Sequence, residues 1–262
     1  MSAGTAGEAL GEGDGGLDVA TGDLETRALY ALMTSLVVPR PIAWVSTRSA
    51  DGQRNLAPHS YFNLISSDPP IIHVTSSQRR GRLKDTAHNI AETGEFVVNV
   101  ASREQIELAN HTAAEWPPDE DEWTWAGLTG LPSRLVAPER VAGAPAAMEC
   151  RLVETVALGN GTMFFGEVVW FHVDARVMDG HRVNVRALDP VARLGGPLYT
   201  PLGEIFQLVR PDWEQLRDGV APPAAGALPA GPLPAGPLPA GPLPAGPPPA
   251  VRAEPASQAP PA

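Results

Sequence analysis

Apolar and polar positions in this chain alternate mostly with the two-residue period of strands, and only briefly with the period of a helix. Pro41 to Arg48 (PIAWVSTR), Ile71 to Ser77 (IIHVTSS), Glu95 to Ala101 (EFVVNVA), Ala147 to Leu158, Met163 to Val177 and Ile205 to Val209 are rich in β-branched and aromatic residues and predict strands. Gly, Pro and Asp clusters separate them, as at Asp51-Gly52 and Ser67-Asp68-Pro69-Pro70. Helices are fewer and short. Asp23 to Leu36 sets Leu24, Ala28, Leu32 and Ser35 near one face, with Asp23 as the cap. Asp85 to Thr93 begins at a capping residue and stops before Gly94, the expected terminator. Ser102 to Gln105 has capping-box spacing and opens a helix to about Asn110. Many antiparallel strands with small helices on the rim predict a mainly β barrel or sandwich. No G-x-G-x-x-G follows a strand, so a Rossmann nucleotide site has no support.

Both ends depart from this pattern. Residues 1–22 are small, polar and acidic, with too little apolar surface to offset the entropy of ordering. From Gly226 to Ala250 the chain repeats Leu-Pro-Ala-Gly-Pro, which favours a semi-extended spacer. Three segments are therefore expected: a disordered start at 1–22, a folded domain at 23–217, and a disordered Pro/Ala/Gly-rich tail at 218–262. The formal net charge of -11 argues against a broad nucleic-acid surface, which needs a basic field. Cys150 is the only cysteine, so no intrachain disulfide is available, and its alternating context predicts a packed thiol. No basic-then-apolar leader opens the chain and no apolar run is long enough for a bilayer, so a cytoplasmic location is expected.

Four neighbouring segments carry chemistry: 39–47, 55–63, 73–77 and 82–90. The first leads from rigid prolines into a strand bearing Trp44, Ser46 and Thr47; the third is a strand ending in Ser76 and Ser77; the fourth opens a helix. Cations, hydroxyls and free N–H groups at a helix start hold phosphate, and Ser76, Ser77, Arg82, Lys84 and Thr86 provide those side chains. Lys84 is the only lysine among otherwise arginine cations. A flat ring needs an apolar wall, which Trp44, Ala57, Pro58 and Phe62 would build; judged alone, Trp44 on a strand is more often a core residue than a ligand wall. There is no G-x-S-x-G elbow, and the six histidines lack metal-ligand spacing. The acidic aromatic run Trp116 to Trp125 reads as a loop over the core or a dimer contact. Spacing alone reaches an anion-binding β-barrel domain.

Taken together, PRPIAWVST at 39–47, NLAPHSYFN at 55–63, DPPIIHVT at 68–75 and KDTAHNI at 84–90 resemble the flavin reductase-like FMN-binding family. Later stretches agree: EFVVNV at 95–100, GLTGLPS at 127–133, AMECRL at 147–152, FGEVVWFHVD at 165–174 and ARLGGPLY at 192–199. That family includes flavoredoxins and the reductase components of two-component monooxygenases. The resemblance implies an FMN-binding split β-barrel, a homodimer with flavin mononucleotide near the subunit interface. By position it sets Trp44, Ser46 and Thr47 along the isoalloxazine, and Asn55, Ala57, Pro58, Ser60 and Phe62 at its polar edge and ribityl chain. Ser76, Ser77, Lys84 and Thr86 would hold the phosphate with help from Arg82, and Arg193 and Tyr199 would line the nicotinamide side. The implied reaction moves hydride from NADH or NADPH to flavin, then electrons to free flavin, a monooxygenase partner, oxygen or an iron centre. No side chain is then an obligatory catalyst. The alternatives are a flavoredoxin-type electron carrier and a non-redox split-barrel protein for a phosphate-bearing or tetrapyrrole ligand.

Overall fold

The computed structural model describes residues 11–13, 16–78, 81–117, 120–208 and 210–217. Seven strands make one antiparallel sheet: β1 (Ala43–Arg48), β2 (Arg54–His59), β3 (Phe62–Ser67), β4 (Pro70–Ser77), β5 (Glu95–Val100), β6 (Ala146–Leu158) and β7 (Gly161–Val173). Their order is β2-β1-β5-β6-β7-β4-β3. Strands β2 and β3 thus stand at opposite edges, yet only Ser60 and Tyr61 separate them in the chain. So short a link forces the sheet to curl until its edges meet. The Thr75 amide donates to the Tyr61 carbonyl at 2.8 Å, which extends the β3–β4 ladder past Phe62 and Val74, and no ladder joins β2 to β3. The result is a split barrel, mainly β with short helices, as expected.

Strand β1 is buried on both faces, which explains its nearly continuous apolar run. Ala43 and Val45 face an inner core with Ile72, Val74, Phe96, Val98, Cys150 and Phe164. Trp44 faces a second core with Leu56, Ala109, Trp123 and Val141. Helix α1 is Thr26–Leu36, α2 is Asp85–Thr93, α3 is Ile106–His111 and α4 is Glu122–Trp125. Ala87 and Ile90 of α2 reach the inner core, so that helix is anchored from its buried face. A smaller sheet joins Arg40–Pro41, Val191–Arg193 and Tyr199–Pro201. There the buried Arg40 guanidinium donates to the carbonyls of Thr34 (2.7 Å), Val37 (2.6 Å) and Leu194 (2.9 Å).

Local chemistry moved several predicted boundaries. Helix α1 starts at Thr26 behind Glu25, which makes no side-chain cap, while Asp23 belongs to a 3-10 turn at Thr21–Asp23. Its predicted face stays open at Ala28, Leu32 and Ser35, and the neighbouring Tyr30, Met33 and Leu36 are exposed as well. For α2 the N-cap is Lys84 rather than Asp85, and Gly94 ends the helix at φ +71°, as its lack of Cβ predicts. The capping box at Ser102 does not form, because the Gln105 amide donates to the Ala142 carbonyl at 3.0 Å and α3 begins at Ile106. Strand β7 stops at Val173, and Ala175–Val177 is a 3-10 turn capped by Asp174.

Residues 205–208 form no strand, and Val209 lies outside the described residues. Strands β2 and β3 escaped prediction because Pro58, His59, Asn63, Ser66 and Ser67 interrupt apolar alternation. In the acidic aromatic run, residues 122–125 are helical, capped by Asp121 onto the Trp123 amide, and Trp123 is core rather than loop cover. Of the segment expected to be disordered, residues 11–13 pair with 16–18, and 1–10 lie outside the described residues, as does the whole 218–262 tail. The described residues from Phe206 on, 206–208 and 210–217, belong to a unit of their own, with a short helix at Trp213–Arg217.

Candidate functional site: an anion cradle at the start of α2

Strand β4 ends in Ser76 and Ser77, and the chain returns through residues 81–84 to start α2. Lys84 occupies the N-cap in extended conformation, and no side chain caps the helix. Uncapped first-turn amides and the helix dipole make this end electropositive. On the strand that leads toward it, Ser76 is 2% exposed, and its Oγ has no hydrogen-bond partner among the described residues. Leaving such a hydroxyl unsatisfied costs about 1–3 kcal/mol, so it marks a place where a polar ligand group would be favourable. Ser77 and Lys84 are half-buried, and Arg82 is exposed at the rim.

A buried polar knot holds this helix end in place. Thr47 Oγ1 accepts from Asn55 Nδ2 at 3.0 Å and from Asn89 Nδ2 at 3.1 Å. Asn55 Nδ2 also donates to Thr86 Oγ1 at 3.0 Å. All four residues are buried, so β1, β2 and the first turns of α2 are tied together without any titrating group. Asn89 is a functional neighbour that sequence reasoning missed; its spacing of one helical turn from Thr86 was the available signal.

At the far end of β2, Pro58, His59 and Ser60 border a cavity of about 80 Å³ with Asn110, Arg193 and Tyr199. Tyr199 donates to Asn110 Oδ1 at 2.8 Å, and the Arg193 guanidinium both bonds the Tyr199 hydroxyl and lies 4.5 Å over its ring. Burial, then the charge of Lys84, pushes the His59 ring down to about 4, against a hydrogen bond with the Thr75 backbone. His59 is therefore neutral at physiological pH. Ala57 and Pro58 are half-buried. Phe62 lines a different, apolar cavity of about 570 Å³ with Pro39, Ile42, Val100 and Val191.

Two predicted residues stand apart from this site. The Trp44 side chain is fully buried in the second core, its Nε1 donating to Thr112 Oγ1 at 2.9 Å, so it forms no ligand wall. Ser46 Oγ is spent on the Glu139 carbonyl at 2.5 Å and also accepts from Asn99. Glu122 was not foreseen. It is 7% exposed, one carboxyl oxygen has no partner, and burial with Asp121 and Asp85 nearby raises it to about 7, against hydrogen bonds from its own backbone and that of Leu56.

Cradle and barrel together make a candidate anion site on a split β-barrel, and comparison with known proteins gives the family. Residues 33–187 match the flavin reductase like domain, so the chain belongs to the flavin reductase-like family. An uncharacterized Bacillus subtilis protein, YwrF, is 39% identical over 196 residues, covering 72% of this chain and 96% of its own. Among solved structures, nitrilotriacetate monooxygenase component B from Bacillus cereus is similar at 35% identity and TM-score 0.73, covering 75% of this chain and all (100%) of that one. A flavin reductase with a split barrel domain from Shewanella frigidimarina shares the fold at 24% identity and TM-score 0.67, covering 75% of this chain and 100% of that one.

Proposed function

We propose that this protein binds flavin mononucleotide at the start of α2 and works as an oxidoreductase, a flavin reductase supplied by NADH or NADPH. The observation that carries the reading is the buried Ser76 hydroxyl, without a partner among the described residues, on the strand that leads toward Lys84 and the uncapped α2 amides. That donor set fits the terminal phosphate of a flavin mononucleotide, which is mostly dianionic near neutral pH. Lys84, Ser76, Ser77 and the first-turn amides, Thr86 included, hold the phosphate, with Arg82 at the rim. Ala57, Pro58 and Ser60 face the ring and its polar edge, whereas Phe62, expected there too, lines the separate apolar cavity. Asn55, Thr47, Ser46 and Trp44 act from behind, as the frame that fixes β1, β2 and α2.

When bound, the flavin supplies hydride acceptance. The chain's own residues orient it, neutralise its phosphate and keep water from one side, so no side chain has to exchange a proton. The exposed apolar side chains Tyr30, Met33, Leu36, Leu64 and Ile65 support a homodimer in which a second copy covers them. Similarity to a monooxygenase component B supports an oxygenase as the receiver of electrons.

An anaerobic absorbance titration tests the reading. Protein with FMN should show a perturbed flavin spectrum that bleaches on adding NADH or NADPH. Bound flavin that stays oxidised with both donors would move the protein to the flavoredoxin-type electron carriers. A spectrum identical to free FMN would remove flavin from the account and favour the non-redox alternative.

A further inference from the structure

His59 closes β2 at 7% exposure, and its Nε2 has no hydrogen-bond partner among the described residues. The nitrogen that meets the Thr75 backbone is therefore Nδ1. That bond favours a charged ring, so Nδ1–H donates to the carbonyl. A neutral ring with the proton on Nδ1 leaves a lone pair on Nε2. Nε2 is then a buried acceptor awaiting an O–H or N–H donor. Phosphate oxygens and flavin ring carbonyls are acceptors themselves and cannot meet that need; the donors a flavin offers are its ring N3–H and the hydroxyls of its polyol chain.

Position narrows the donor further. On one side His59 lies close enough to Lys84 to feel its charge, and on the other it borders the small cavity with Pro58 and Ser60. A flavin with its phosphate at Lys84 and its ring edge near Pro58 and Ser60 has to pass its hydroxylated chain between them. We infer that His59 Nε2 accepts a hydrogen bond from a hydroxyl of that polyol chain, making His59 a positioning residue that reads the chain rather than the ring or the phosphate. The inference rests on the FMN reading above and adds a specificity determinant to it.

The test compares FMN, riboflavin and lumiflavin, which keeps the ring but has a methyl in place of the chain, on wild type, His59→Phe and His59→Gln. Binding is followed by quenching of flavin fluorescence. His59→Phe should weaken FMN and riboflavin about tenfold while leaving lumiflavin unchanged, the loss of one buried hydrogen bond. His59→Gln, which keeps an acceptor, should recover most of the loss. A parallel ¹⁵N spectrum of histidine-labelled wild type should show Nε2 moving upfield on adding FMN. Equal weakening of all three ligands, or unchanged FMN affinity in His59→Phe, overturns the assignment while flavin binding stands. If wild type binds none of them, the FMN reading and this inference fall together.

Discussion

Replacing Glu122 by Gln should make the protein more stable at alkaline pH, and the size of the gain follows from the burial of one carboxyl. Glu122 lies behind β2 with one oxygen unpartnered, and its acid form persists up to about 7 instead of the ordinary 4.5. Below about 4.5 the folded and unfolded chains both carry the proton, and the group is neutral to stability. Between 4.5 and about 7 the unfolded chain ionises first, so stability falls as pH rises. Above about 7 the folded protein holds a buried charge, at a full cost on the order of 3 kcal/mol, since each pKa unit corresponds to about 1.4 kcal/mol. Glutamine keeps an oxygen for the Leu56 amide and never ionises. Urea unfolding of ligand-free protein, followed by tryptophan fluorescence, would show Glu122→Gln close to wild type near pH 4.5 and more stable by about 1–3 kcal/mol near pH 8.5, the lower figure allowing for relaxation around the charge. The same gap at both pH values, or a variant less stable than wild type in alkali, refutes the reasoning.

Ser76→Ala should leave the ligand-free protein as stable as wild type or up to about 1 kcal/mol better, since it removes an unsatisfied hydroxyl, yet weaken FMN; calorimetry and a flavin titration on one preparation read both. Lys84→Ala should raise the Kd for FMN by at least about tenfold and leave the rate of flavin reduction at saturating FMN within about twofold, as stopped-flow absorbance would show. Gly166→Ala puts a Cβ within 2.7 Å of Phe96 Cε1, inside the inner core, and should cost about 1–3 kcal/mol in urea unfolding.

How far the chain could be read by eye depended on what each residue was asked to do. Strands with strong apolar patterning, such as Glu95–Val100 and Ala146–Leu158, announced themselves, and Gly94 marked the end of α2. Strands β2 and β3 did not, because edge positions there carry Pro, His, Ser and Asn, which break the apolar alternation of a strand. The hydroxyls and Lys84 of the proposed cradle stood out as a set, since phosphate chemistry restricts which side chains serve. Which of them are already engaged within the fold did not. Trp44, Thr47 and Asn55 satisfy one another or their neighbours, and only three-dimensional pairing separates a spent donor from an open one. Glu122 and His59 were hidden for the same reason: their importance lies in a missing partner, and a sequence cannot show one.

The curl that brings β2 back to β4 leaves a mechanical seam in the barrel. Elsewhere neighbouring strands are held by repeated ladder bonds, but no ladder joins β2 to β3, and the Ser60-Tyr61 link ties these two edges through the chain alone. The two lips can shift against each other without undoing a strand pairing, so a small displacement there costs the sheet less than the same displacement between paired strands.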